Sequence, residues 1–263
     1  TYIISGTLNN GIILVDAEDT AKLQIVLNGV SITNESSAAL YILSADKVFV
    51  TLAEGTENTL ANGGSFIAID ENNIDAVVFS KQDLTFNGTG NLIITSPNGN
   101  GIVGKDDLVF TGGNYTINTS SHGIEANDSV RITGTTQITV DAGKDGIHCE
   151  NNDDTSLGFI YISAGTLNIE AEGDGISASA YMQIVDGSFS VLAGGGSENG
   201  SSQSSNTWGA FMGGDMPPGQ QSSSNTATTE DSTSMKGIKT SGTLNIFSGS
   251  FQILSLIHIS EPT

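Results

Sequence analysis

The sequence predicts an all-β fold: a single-stranded, right-handed parallel β-helix with about 22 residues per coil and three short strands in each. Three observations carry this expectation. The first is a repeat. NGIVGKDDLVFTGGNYTINT, from Asn100, returns as SHGIEANDSVRITGTTQITV from Ser121 and as KDGIHCENNDDTSLGFIYISAGTLNIE from Lys144. It returns again as GDGISASAYMQIVDGSFSVL from Gly173 and MKGIKTSGTLNIFSGSFQIL from Met235, with a looser copy, DAVVFSKQDLTFNGTGNLIIT, from Asp75. The second is an alternation of apolar and polar residues within strands too short for an ordinary sheet. The third is the absence of helical periodicity. A propeller blade needs about twice this period, and a leucine-rich repeat needs a helical segment and a fixed Asn.

The apolar positions define three inward columns. The first strand contributes Val78, Ile102, Ile124, Ile147, Ile176 and Ile238. The second contributes Leu84/Phe86, Leu108/Phe110, Val130/Ile132, Ile160/Ile162, Met182/Ile184 and Leu244/Ile246. The third contributes Leu92/Ile94, Tyr115/Ile117, Thr136/Ile138, Leu167/Ile169, Phe189/Val191 and Phe251/Ile253. Successive coils then stack about 4.8 Å apart. The recurring glycines are assigned to corners that need positive φ.

Taken in order, residues 1–74 hold irregular N-terminal coils, with strands expected at Tyr2–Ile4, Ile12–Val15, Leu23–Leu27, Val30–Ile32, Leu40–Ile42 and Val48–Leu52. Gly6, Gly11, Gly29 and Gly55 mark turns, and residues 61–74 read as a looser connection. The register is regular over 75–193. Residues 194–234 are rich in Gly, Ser, Asn and Thr and poor in aliphatic residues, the composition of a disordered insertion at a turn. Within it WGAFMGGDMPPG, with Trp208, Phe211, Met212 and Met216, reads as an apolar patch or a sugar-stacking element. Residues 235–254 are the last visible coil. The tail 255–263, SLIHISEPT, has no corner glycine and reads as truncated or non-native sequence, resembling a translated sequencing adapter, so His258 carries no role. The chain opens inside a strand at Thr1-Tyr2-Ile3-Ile4, so the natural N-terminus is expected to be missing.

Eight basic residues stand against 29 acidic ones, a formal net charge of −21. That balance argues against nucleic acid and anionic membranes as partners. No membrane-inserted run is visible, and a monomer is expected. The single cysteine, Cys149, excludes an internal disulfide and reads as a small corner residue.

Stacking turns corner residues into ladders. After the first strand come Lys81-Gln82-Asp83, Lys105-Asp106-Asp107, Asn127-Asp128 and Glu150-Asn151-Asn152-Asp153-Asp154. Before it stand Asn100, His122, Asp145 and Asp174 at matching positions. Two carboxylates at this spacing repel by roughly 1 kcal/mol in bulk water and several times that at an effective dielectric near 20. A ladder of them therefore favours a bound cation, and hard oxygen donors suit Ca²⁺. The candidate ligands are Asp83, Asp106, Asp107, Asp128, Asp145, Glu150, Asp153 and Asp174. The same residues also serve as ordinary turn formers that bond the backbone. His148 points outward and His122 stands where other coils carry Asp or Asn.

The outward column of the second strand reads Thr85, Val109, Arg131, Tyr161, Gln183 and Asn245. Arg131, the only arginine, falls beside Tyr161, and a guanidinium next to an aromatic ring suits a sugar acid. The third strand presents Asn114/Thr116, Thr135/Gln137, Thr166/Asn168 and Ser188/Ser190. Arg131, Tyr161, Gln183 and Asn168 are the candidate carbohydrate contacts. There is no nucleophile elbow, metalloprotease helix, phosphate-cradling loop or paired Cys.

SKQDLTFNGTG, NGIVGKDDLVFTGG, DGIHCENNDD and GDGISA, together with the N-terminal TYIISGTLNNGIILVDAEDTAKLQIVLNGVSITN, resemble the bacterial carbohydrate-binding β-helix proteins. These look like pectate lyases and are regarded as modules for cellulose and acidic pectic sugars. The resemblance spans residues 1–254 and implies calcium at Asp-rich corners, a polysaccharide ligand, and secretion or cell-surface attachment. The chain departs from the family pattern at Asn100, His122, Asn127 and Gln82. Two rival classes stay open. One is a calcium-dependent polyuronate lyase with Lys105 or Lys81 as base, although neighbouring carboxylates oppose the lowered pKa that a base needs. The other is an adhesin or structural rod.

Overall fold

The computed structural model describes residues 1–195 and 235–255. Trp208, Phe211, Met212, Met216 and His258, with most of the expected insertion and tail, lie outside the described residues. Among the described residues there are strands and turns and no helix.

The chain begins with β1 (Tyr2–Leu8), β2 (Ile13–Asp16) and β3 (Lys22–Asn34). The first three-stranded coil is β4 (Leu40–Ser44), β5 (Lys47–Leu52) and β6 (Glu57–Asn62). It is followed by β7 (Ala76–Ser80), β8 (Asp83–Gly88) and β9 (Asn91–Ser96), then β10 (Asn100–Gly104), β11 (Asp107–Phe110) and β12 (Asn114–Thr119). Next come β13 (Ile124–Ala126), β14 (Ser129–Ile132) and β15 (Gln137–Ala142), then β16 (Ile147–Cys149), β17 (Phe159–Ile162) and β18 (Thr166–Ala171). The last coils are β19 (Ile176–Ala178), β20 (Met182–Ile184) and β21 (Ser188–Ala193), and β22 (Ile238–Thr240), β23 (Leu244–Ile246) and β24 (Ser250–Leu254).

Every pairing is parallel and joins equivalent strands of neighbouring coils. The first strands stack as β2-β4-β7-β10-β13-β16-β19-β22, and the second and third strands stack in two further rows. This is a parallel β-helix. The expected first column holds residue for residue, with Ile102 opposite Val78 and Ile124, then Ile147, Ile176 and Ile238. From Val78 to Ile176 these side chains are fully buried, each contributing on the order of 1.5–3 kcal/mol by removal from water. The second column also holds, and Phe86 and Phe110 stack within it at 5.1 Å with the Tyr115 ring edge-on to Phe110 at 5.2 Å.

The third column needs a correction in one coil. Tyr115 pairs with Ile138 and Ile117 with Val140, so the inward pair is Ile138/Val140 rather than Thr136/Ile138. The outward pair there is correspondingly Gln137/Thr139 instead of Thr135/Gln137. Thr136 is buried for another reason: its hydroxyl donates to the Thr133 carbonyl at 2.7 Å and closes the preceding turn.

The glycines divide into two kinds. Between the second and third rows, Gly88, Gly113, Gly134, Gly165, Gly187 and Gly249 have positive φ, as expected. The Gly-Ile series does not. A Cβ on Gly101 would lie 2.5 Å from the Gly123 carbonyl oxygen, and one on Gly123 would lie 2.6 Å from that of Gly146. These positions are glycine because the backbones of successive coils approach too closely for a side chain.

At the N-terminus the strands expected at 23–27 and 30–32 are one strand, β3. Its first half pairs with β5 and its second with β6, so two rows join into one 16-stranded sheet. Gly29 makes the bend with φ +76°. The fully buried Asn58 holds it, its Oδ1 accepting the N–H groups of Gly29 and Val30 at 3.0 Å each. Strand β6 is absent from the expected strands; its Asn58 and Asn62, of a type common in turns, are buried and hydrogen-bonded within it. Cys149 is likewise a core residue rather than a corner one, fully buried at the end of β16 opposite Ala126 and Ala178, and burial raises its thiol pKa.

Candidate functional site

The eight acidic candidates do not form one ladder. They fall into two groups on either side of the first strand row, with Asp153 apart from both, and in one group Asp106 is crowded by other carboxylates.

The corner entering the row is a hydrogen-bonded stair. The Asn100 side-chain oxygen accepts the backbone N–H of His122 at 2.9 Å, and His122 Nδ1 accepts that of Asp145 at 3.3 Å. Asp145 Oδ1 accepts the N–H of Asp174 at 2.8 Å, and Asp174 Oδ1 accepts that of Lys236 at 2.7 Å. Each coil thus satisfies the donor of the next. The remaining oxygens are also engaged: Asp174 Oδ2 accepts from Lys239 Nζ at 2.9 Å, and Asp145 Oδ2 meets His148 Nδ1 at 2.8 Å. The repulsion expected along this ladder is offset by these donors.

His122 and His148 stack with ring centroids 4.7 Å apart. Burial, reinforced by the neighbouring His148, pushes His122 down to about 4. It is therefore neutral at pH 7, and its 3.9 Å approach to Asp145 Oδ2 is not an ion pair. Burial also opposes charge on His148, but Asp145 and Glu150 outweigh it and raise its pKa. Burial works against ionised Asp145, and the bonds from His148 and from the Asp174 N–H overcome it, so its pKa is lowered. Glu150 Oε2 lies 3.3 Å from His148 Nε2. Beside the rings opens a polar cleft of about 340 Å³ lined by Glu125, Asn127, Glu150, Asn151 and Asp153 among others.

The corner leaving the row is crowded instead. Asp106 is raised to about 6, first by burial and then by Asp83, with Asp128 and Asp107 adding to it. Asp83 is paired with Lys47 Nζ at 2.8 Å. Asp107 accepts from the Ser129 hydroxyl at 2.5 Å and lies 3.5 Å from Arg131 Nη2. Asp128 accepts from the Asn151 amide at 3.0 Å. Among the described residues Asp106 has no cation at hydrogen-bond distance, and its Oδ1 accepts the neighbouring Asp107 N–H at 3.0 Å. Asp153 stands apart and exposed, its N–H donating to Asn151 Oδ1 at 3.0 Å.

Among the carbohydrate candidates, Arg131, Tyr161 and Gln183 are consecutive partners on the outer face of β14, β17 and β20. Asn168 is not with them; it lies on the third row, between Thr139 and Ser190. The Arg131 guanidinium does not stack on Tyr161. It turns to Asp107 and sits 5.2 Å from the ring centre of Phe159. Phe159 in turn stacks on Tyr181 at 4.7 Å and 5°. These two rings occupy the adjacent outward column and were missed. The signal was present, since each stands two residues before a named candidate, Tyr161 or Gln183, and so on the same face. Lys105, a candidate base, lies 3.6 Å from Glu125 Oε1 and 5.8 Å from the centre of the Phe79 ring.

A profile of the family described as carbohydrate-binding domain-containing protein matches residues 1–257. The chain belongs to this family. A carbohydrate-binding domain-containing protein of Acetivibrio thermocellus is 39% identical over 196 residues, which is 74% of this chain and 68% of that protein. Among solved structures, a gadolinium derivative of the polysaccharide lyase-like protein from C. thermocellum superposes with a TM-score of 0.76. It is 32% identical in sequence, and the match covers 95% of this chain and 86% of that one.

Proposed function

We propose that this carbohydrate-binding family member is a non-catalytic, calcium-stabilised module. In this reading it holds plant cell-wall-type polysaccharide, acidic pectic sugars or cellulose or both, against its second strand row at the bacterial cell surface. The observation that carries this reading is the outward face of β14, β17 and β20, where Phe159, Tyr161 and Tyr181 stand beside Arg131 and Gln183. Tyr181 is 38% exposed and the Arg131 side chain 42% exposed, so a phenol ring and a guanidinium are presented together, on either side of the Phe159 ring between them. Aromatic rings offer large contact area at small entropic cost, and the polar neighbours can read hydroxyl and carboxylate groups.

Calcium fits the corner leaving the first row. Asp83, Asp106, Asp107 and Asp128 supply hard oxygen donors, and the Asp106 carboxyl, raised first by burial and then by Asp83, would be relieved by a divalent cation. An acidic polymer also meets a chain of net charge −21, so Arg131 and bound cations would offset their mutual repulsion.

The test is co-sedimentation with polygalacturonate in calcium and in chelator, while absorbance of unsaturated product is followed. Calcium-dependent binding without product is expected. Phe159→Ala and Tyr181→Ala are each expected to weaken binding about tenfold, on the order of 1.4 kcal/mol for an interface anchor. Product formation would replace the binding module by a lyase and turn attention to Lys105 and Lys81. No retention on acidic or neutral polysaccharide would leave the structural rod.

A further inference from the structure

We infer that His122, Asp145 and His148 form a binding site for one divalent transition-metal ion of the zinc class, separate from the calcium corner and from the aromatic face. One donor atom from each of the three lies within 4.8 Å of the others. Asp145 Oδ2 is central, 2.8 Å from His148 Nδ1 and 3.9 Å from His122 Nδ1, whose lone pair would turn to the ion from the Asp145 N–H that it accepts at 3.3 Å. A tetrahedral ion with ligand bonds of about 2.0–2.1 Å holds its donors roughly 3.3 Å apart, a spacing that these two distances bracket. Closing the site therefore needs adjustments of about half an ångström in the two carboxylate–imidazole separations, and a χ rotation to draw together the two imidazole nitrogens, which stand within 4.8 Å of each other. The stacked rings, 4.7 Å apart and inclined by 28°, already lie side by side next to that carboxylate.

Donor chemistry selects the metal. Calcium takes six to eight oxygens, whereas two imidazoles and one carboxylate suit zinc, cobalt or copper. A supporting shell is in place. Glu150 Oε2 stands 3.3 Å from His148 Nε2, the carboxylate–imidazole arrangement that fixes ring orientation in metal sites. The fourth position opens toward the polar cleft, which leaves room for water or a ligand oxygen. The donors come from two consecutive coils, His122 ahead of β13 and the other two around the start of β16, so the ion would clip one coil to the next.

Neighbouring coils supply variants that keep the backbone bonds. Asn100 plays for His122 the part that His122 plays for Asp145, so His122→Asn retains an acceptor. Ser177 occupies the position of His148 in the next coil, so His148→Ser places a residue that this wall already accommodates. The chelator-stripped chain, returned to excess Ca²⁺, is titrated with Zn²⁺ by calorimetry and with Cu²⁺ by electron paramagnetic resonance. One Zn²⁺ per chain is expected despite the calcium, with nitrogen couplings from two imidazoles in the Cu²⁺ spectrum. Each variant should weaken Zn²⁺ at least tenfold and remove one imidazole from the spectrum. Unchanged affinity in both variants, a Cu²⁺ spectrum with only oxygen couplings, or displacement of Zn²⁺ by equimolar Ca²⁺ would overturn the assignment. Should either variant fail to fold, the nitrogen couplings of the unmodified chain decide alone.

Discussion

The corner that leads into the first strand row and the corner that leaves it are both rich in Asp, yet they handle charge in opposite ways. On the way in, Asp145 and Asp174 lie one coil apart and every oxygen has a donor, from the next coil's backbone or from His148 and Lys239. On the way out, Asp106 sits among Asp83, Asp107 and Asp128 with no cation at hydrogen-bond distance among the described residues, and its pKa rises to about 6. The difference teaches that carboxylate count does not decide whether a ladder needs a cation. The donors within reach and burial decide it: Asp145 and Asp174 each have a backbone N–H and a side-chain partner, whereas Asp106 has the Asp107 N–H and is raised first by burial.

The largest expected effect tests the stitched corner. Asp174→Ala leaves the Lys236 N–H without this acceptor and removes the partner of Lys239. The cost should be about 2–4 kcal/mol, read from urea unfolding. Asp174→Asn preserves an acceptor oxygen, as Asn100 does three stairs below, and should lose no more than about 1 kcal/mol. Equal losses in the two variants would mean that charge, and not the backbone bond, holds this corner.

The crowded corner predicts the opposite sign. Folding raises the Asp106 pKa from 3.8 to about 6, so the ionised form is the one that the fold disfavours. Stability from this group is complete below its unfolded value of 3.8 and is lost as pH rises through about 6. In chelator, Asp106→Asn should therefore raise the unfolding midpoint at pH 8 and leave it unchanged at pH 3. With saturating calcium the same change should lower the midpoint at pH 8, because a ligand is lost. A variant less stable than the parent in chelator at pH 8 would show that this corner is not repulsive.

The smallest effects come from single lysines. Lys47, half-buried against Asp83 at 2.8 Å, should matter by about 0.5–1 kcal/mol when changed to Ala. Lys22, 3.3 Å from Asp46, belongs to a pair with side chains 67% and 44% exposed and should change stability by less than about 0.5 kcal/mol. Thermal unfolding at low and high salt would separate the two.

Much of this was legible in the sequence. The Gly-Ile repeat and the alternation of Leu108/Phe110 with Asp107/Val109 set the coil, its columns and the neighbour relation of Arg131 and Tyr161. Pattern failed where one residue type has two uses. Thr136 was placed in the core because threonine fits both a strand and a turn, and the slip of two kept the alternation intact. Asn58 and Asn62, of a residue type common in turns, are buried acceptors and donors within a strand. The Gly-Ile glycines carry no sign in the sequence of whether conformation or space requires them. At the site, position along the strand was readable, but side-chain direction was not. Arg131 had a choice of two rings and one acid, and Asp107 drew it toward Phe159.

The pairing of β19 with β22 has a consequence for how this chain can be altered. Ile176 meets Ile238 and Phe189 meets Phe251 in the ordinary register, although a long stretch of sequence separates each pair. A coil's address in the stack is thus set by the strand beneath it and not by the length of chain travelled. Loop closure grows only with the logarithm of length, about 0.6 kcal/mol per doubling. The corner after β21 is accordingly a port: segments of quite different length, or a whole foreign module, can enter and leave there while the wall above and below keeps its register.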